Sequence, residues 1–90
     1  MYYVVHHRVF DRERFLATDP RDIGGNAPDG VTAFHFLPAT DSSAADCLWE
    51  ADSLDVLRDY LDPATRDSCE NTYFEVDAQH AMGMPATPEL

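Results

Sequence analysis

Apolar positions along the chain follow two different periods. Residues 2–10, YYVVHHRVF, are dense in aromatic and β-branched side chains and stop at Asp11, which predicts a strand. Asp11 can then cap a short helix over RERFLATD, which Pro20 stops. The stretch PRDIGGNAPDG, residues 20–30, is rich in the residues that favour turns and predicts a loop, the most mobile part of the chain. VTAFHFLP, residues 31–38, predicts a second strand, ATDSS a hairpin turn, and ADCLWEA a third strand. The period then changes. Leu54, Leu57 and Leu61 recur at helical spacing beside Tyr60, with Asp52 or Ser53 as N-cap and Pro63 expected to end or kink the helix. RDSCE leads as a loop into a fourth strand, NTYFEVD. Ninety residues suffice for one modest core, so a single domain is expected over 1–84, followed by a C-terminal tail over 85–90.

The order strand, helix, strand, strand, helix, strand predicts an α+β chain of ferredoxin-like βαββαβ type. Its four-stranded antiparallel sheet would run in spatial order 4-1-3-2 with both helices on one face. Alternation along each strand then divides the sheet. Phe34, Phe36, Leu48, Phe74 and Val76 are expected beneath Leu54, Leu57 and Leu61, with Tyr3, Val5 and Val9 completing the core. The opposite phase places Val4, His6, Ala33, His35, Cys47, Trp49, Tyr73 and Glu75 on the open face. A one-residue slip of the first strand would exchange His6 for His7. Such a face is a large apolar patch for a monomer. A homodimer is therefore expected, a dimeric α+β barrel in which two sheets pair and enclose a shared cavity.

Charge narrows the partners. Asp and Glu total 17 against 6 basic residues, all arginine, for a net charge of −11. That field repels phosphate, so neither nucleic acid nor an anionic membrane is an expected partner. Acidic residues spread along the chain without lysine suit hydration in concentrated salt, although an arginine-favouring genome would leave a similar composition. No apolar run approaches the ~20 residues of a membrane span and no signal-like segment opens the sequence, so a cytoplasmic location is expected. Two cysteines without CxxC spacing are expected to be reduced, Cys47 as a small hydrophobe in a strand and Cys69 in a loop.

ADCLWEADSLDVLRDYLD and ENTYFEVDAQHAMGMP resemble a family of small, mostly uncharacterised ferredoxin-like proteins of bacteria and archaea. In that family a cysteine-aromatic-Glu-Ala strand runs into a short acidic helix, and some members bind nickel. The resemblance covers roughly residues 31–85 and is carried by Cys47, Trp49, Glu50 and Ala51; the loop at 20–30 and the HHRVF opening depart from it.

Imidazoles on neighbouring strands can share a transition-metal ion with a carboxylate. His6, His35 and Glu75, with Cys47 as a soft ligand, are the candidate set for nickel or zinc, with Val4, Ala33, Trp49 and Tyr73 lining the cavity. No HxH, HxxxH or HExxH spacing accompanies them, and ordinary packing accounts for each histidine alone. A rival use of the cavity is a cofactor-independent oxygenase or isomerase, with a histidine as general base oriented by Glu75 or Glu50. A third is an interaction module whose interface is filled and holds no site. The reading adopted from sequence is a homodimer that binds a small ligand or metal ion and is not an enzyme.

Overall fold

The computed structural model describes residues 1–85; the expected tail lies, from residue 86 onward, outside the described residues. The elements are β1 (Tyr2–Val9), α1 (Arg12–Ala17), α2 (Pro20–Gly25), β2 (Thr32–Pro38), β3 (Ala44–Glu50), α3 (Leu54–Thr65) and β4 (Cys69–Glu75). The strands form one antiparallel sheet in the order β2-β3-β1-β4. Read from the other edge this is the expected 4-1-3-2, and the chain is an α+β fold compatible with ferredoxin-like architecture.

Each helix starts where a side chain satisfies free backbone N–H groups. Asp11 accepts from the Arg14 N–H, Asp19 from Arg21, and Ser53 from Val56. The turn-rich stretch after Pro20 was expected to be all loop, and its first six residues are helical instead. Proline lacks only a hydrogen bond that the first helical residue would not make, so Pro20 opens α2 as well as ending α1. Likewise Pro63 falls in the last turns of α3, which runs on to Thr65. Cys69, expected in a loop, is the first residue of β4.

The core lies between the sheet and the helices. It contains Tyr3, Val5, Ala33, Cys47 and Trp49 from the strands under Leu57 and Leu61 of α3. Ile23 of α2, Phe36 and Tyr60 pack against its margin. The rings of Phe15 and Phe36 stand 6.1 Å apart, and the Tyr60 hydroxyl donates to the Ile23 carbonyl, so α1 and α2 cover the same face as α3.

Register corrects the sequence assignment of the faces. Val5 pairs with Cys47 and Tyr73, and Tyr3 with Trp49 and Glu75, so Cys47, Trp49, Tyr73 and Glu75 share the helix-side phase of Tyr3 and Val5. Val4 pairs with Leu48 and Phe74, which places both of these on the open face. In β2 a bulge between Ala33 and His35 changes the phase. Ala33, opposite Trp49, and Phe36, opposite Cys47, both face the helices, whereas His35 is opposite Leu48 on the open side. Phe34 is buried but outside the main core, its ring edge-on to Tyr2.

Candidate functional site

The residues proposed from sequence as one metal set are divided by the sheet. His6, His35 and Val4 line a broad groove on the open face with Leu48 and Phe74. His6 Nδ1 is bonded to Asp46 Oδ1 at 2.6 Å, and Arg8 pairs with Glu70 alongside it. Cys47 projects to the other side, and Glu75 is exposed at the end of β4, in the phase of Tyr3. Among the described residues no three or more His, Cys, Asp and Glu side chains converge as a metal-ligand group. Of the four expected cavity-lining residues, only Val4 faces the open groove.

What the sheet gathers on its helix side is a different constellation, built around His7. On β1 this histidine follows Tyr3 and Val5 in the buried phase and is almost wholly enclosed. Its Nε2 lies 3.1 Å from Cys47 Sγ on β3, and its Nδ1 lies 2.5 Å from Asn71 Oδ1 on β4. Both partners flank β1 in the sheet, so the linear array Cys47–His7–Asn71 crosses three adjacent strands.

Helix α3 fixes how the array is protonated. The Asn71 amide donates from Nδ2 to Asp62 Oδ1 at 3.0 Å and to Thr65 Oγ1 at 2.8 Å. Thr65 in turn donates its own hydroxyl proton to the Leu61 carbonyl, so its oxygen is free to accept. Asp62 Oδ1 also accepts from the Tyr73 hydroxyl. With both amide protons directed at α3, Asn71 can offer His7 only its carbonyl oxygen. His7 therefore carries its proton on Nδ1, and Nε2 presents a lone pair to the Cys47 thiol. Cys69 Sγ, 3.8 Å from Nδ1, is on the proton-bearing side of the ring.

Burial keeps the pair neutral. It lowers the pKa of His7, against the raising effect of the Asn71 bond, and pushes the Cys47 thiol up to about 12. The Trp49 indole N–H acts on Cys47 in the opposite direction, favouring the thiolate. That N–H is buried close to the Cys47 sulfur but does not meet it, or any other protein acceptor, at hydrogen-bonding geometry, the one such side-chain group among the described residues. Tyr73, by contrast, holds its proton tightly, through burial and then through its bond to Asp62.

Above the array lies a cavity of about 50 Å³, room for a group of a few heavy atoms. Cys47, His7 and Trp49 form its floor, with Leu61 and Thr65 of α3 at one side and Phe15, Thr18, Pro20 and Ile23 as a cover. The cover is lightly held, for neither α1 nor α2 contains a fully buried residue. The site is thus an apolar chamber lined by two thiols, Cys47 and Cys69, of which Cys47 faces the basic nitrogen of His7, with one unpaired donor at its base. No family model, curated protein or solved structure matches the chain.

Sequence reasoning missed Asn71 and reached His7 only as the alternative to His6 on the open face, because it placed Cys47 and Tyr73 on the wrong side of the sheet. The charges carried the signal needed. Arg8, Asp46, Glu50 and Glu70 all belong to the phase of Val4, Leu48 and Phe74, and that phase is the one a single-layer sheet turns to water.

Proposed function

We propose that the protein binds a small, mainly apolar molecule bearing a carbonyl group in the chamber between the sheet and the helices. The observation that carries this reading is the unpartnered Trp49 N–H. A buried donor without an acceptor costs about 1–3 kcal/mol, and a carbonyl oxygen in the chamber would remove that cost. Apolar walls with a few convergent polar groups and shifted pKa values are the usual composition of a small-molecule site. The cover of α1 and α2 is the route by which a ligand would arrive.

Trp49 is the only tryptophan in the chain and therefore reports on its own chamber. Titration with butyramide should shift its emission and reach saturation. A response that stays linear in concentration, or is absent, counts against binding there.

A second reading concerns the open face and is favoured by exposed apolar side chains on it and beside it. Leu37 and Phe74 are 63% and 59% exposed, next to Val4 and Leu48. Pairing of two such faces would cover them in a homodimer, as expected from the sequence, but with Val4, Leu48, Phe74, His6 and His35 in the interface. Light scattering in molar salt, which screens the net charge of −11, should then return twice the chain mass of 10.1 kDa. Phe74→Asp should return a single chain mass, and a monomer for the unsubstituted protein would remove the reading.

A further inference from the structure

The geometry points to Cys47 as a nucleophile that accepts a short acyl group from an activated ester or thioester. His7 is its base, Asn71 positions His7, and the Trp49 N–H is the donor to the carbonyl oxygen. This inference rests on the proposed binding of a carbonyl-bearing molecule in the same chamber.

Three requirements of thiol acyl transfer are present together. The nucleophile and base are 3.1 Å apart, with the base's free nitrogen toward the sulfur. The base is held by a third group that fixes its tautomer, and that group is itself held by Asp62 and Thr65. A buried N–H without a partner lies beside the thiol, where charge on a carbonyl oxygen would develop. Nucleophile, imidazole and amide in this order form the cysteine variant of the hydrolase triad geometry. Cys69 lacks the arrangement, since it meets the ring on the side that already carries the proton.

Because the resting pair is a neutral thiol and a neutral imidazole, the proton moves as attack proceeds. Cys47 Sγ forms a bond to the acyl carbon, its proton passes to His7 Nε2, and the oxygen gains charge against the Trp49 N–H. The bond from carbon to the leaving oxygen or sulfur then breaks, and the leaving group takes the proton from His7 Nε2. Water, deprotonated by the same nitrogen, attacks the acyl-thioester carbon; the acid departs and the proton returns to the Cys47 sulfur. No redox partner enters, and the chamber volume selects acetyl-sized groups over long chains.

The probe is 4-nitrophenyl acetate, and the full chain is well suited to it. Without lysine there is no ε-amine to acetylate, and cleavage at arginine separates Cys47, in residues 22–58, from Cys69, in the peptide beginning at Asp67. A single acetyl group on the Cys47 peptide is expected, formed faster than octanoyl transfer from the matching ester. Cys47→Ala should abolish it, and His7→Gln should slow it about a hundredfold. Asn71→Ala tests positioning even where His7→Gln fails to fold, as judged by circular dichroism. The Asn71 bond raises the His7 pKa, alongside Asp46 and Asp62 and against burial and His6, so its loss should move the inflection of rate against pH to lower pH. Acetylation of Cys69 instead, or a folded His7→Gln variant reacting at the unsubstituted rate, overturns the inference. If butyramide saturates the Trp49 signal and Cys47 is never acetylated, the nucleophile falls and the binding site stands; if neither occurs, both fall.

Discussion

Raising the pH from 9 to 12 should destabilise the folded chain by about 3 kcal/mol through Cys47 alone. The thiol has an ordinary value of 9.0 and is pushed up to about 12 by burial in the floor of the chamber. Below pH 9 the thiol is protonated whether the chain is folded or not, and the contribution is complete. Above 9 the unfolded chain releases a proton that the folded chain keeps. Stability therefore falls by about 1.4 kcal/mol per pH unit until the folded thiol also ionises. Tyr73 adds to the loss above pH 10, because burial and the Asp62 carboxylate raise its pKa in the folded chain. Urea midpoints at pH 8, 9, 10 and 11 in molar salt measure the slope with charge repulsion screened. Cys47→Ala should flatten the curve between 9 and 11 whatever its effect at pH 8. Parallel curves for the two proteins would show that the thiol is not enclosed as described.

The same thiol shows how far the sequence could be read. Strand order and α+β class follow from local signals that agree with one another: β-branched and aromatic runs, a hairpin turn at ATDSS, and leucines at helical spacing in α3. Facing does not follow so readily, because β3 is apolar in both phases. Ala45, Cys47 and Trp49 lie in one phase and Leu48 in the other, and only Asp46 and Glu50 mark which phase meets water. In β4, Tyr73 and Phe74 pose the same ambiguity, and the amphipathic tyrosine takes the inner place because Asp62 receives its hydroxyl proton. The bulge at Phe34 has no marker in VTAFHFLP, so strict alternation carried Ala33 to the wrong side. His6 and His35 were placed correctly on the open face, yet the polar array formed around the neighbour, His7. Asn71 carries no signal by itself. It becomes part of a site only when β4 lies beside β1 and α3 supplies two acceptors for its amide protons.

Replacing Leu57 by alanine should cost about 3 kcal/mol, within the range of roughly 2–5 found for buried leucines. Leu57 is 0% exposed and stands in α3 over the sheet, in the buried core with Tyr3, Val5, Trp49 and Leu61. Val56, one residue earlier, is 42% exposed on the outer side of the helix, and its alanine variant should stay within about 0.5 kcal/mol of the parent. Urea unfolding monitored by circular dichroism separates the two. The comparison tests more than packing. Asp62 and Thr65 lie on the same helix, five and eight residues beyond Leu57, and they turn Asn71 so that His7 must present a lone pair to Cys47. If Leu57→Ala costs no more than Val56→Ala, α3 does not pack on the sheet through this face. Asn71 would then lose the acceptors that hold its amide, and with them the reason for His7 to carry its proton on Nδ1. A loss near 3 kcal/mol with no change in the Trp49 response to butyramide well below the unfolding midpoint would place the leucine in the support of the helix and the chamber floor in the strands.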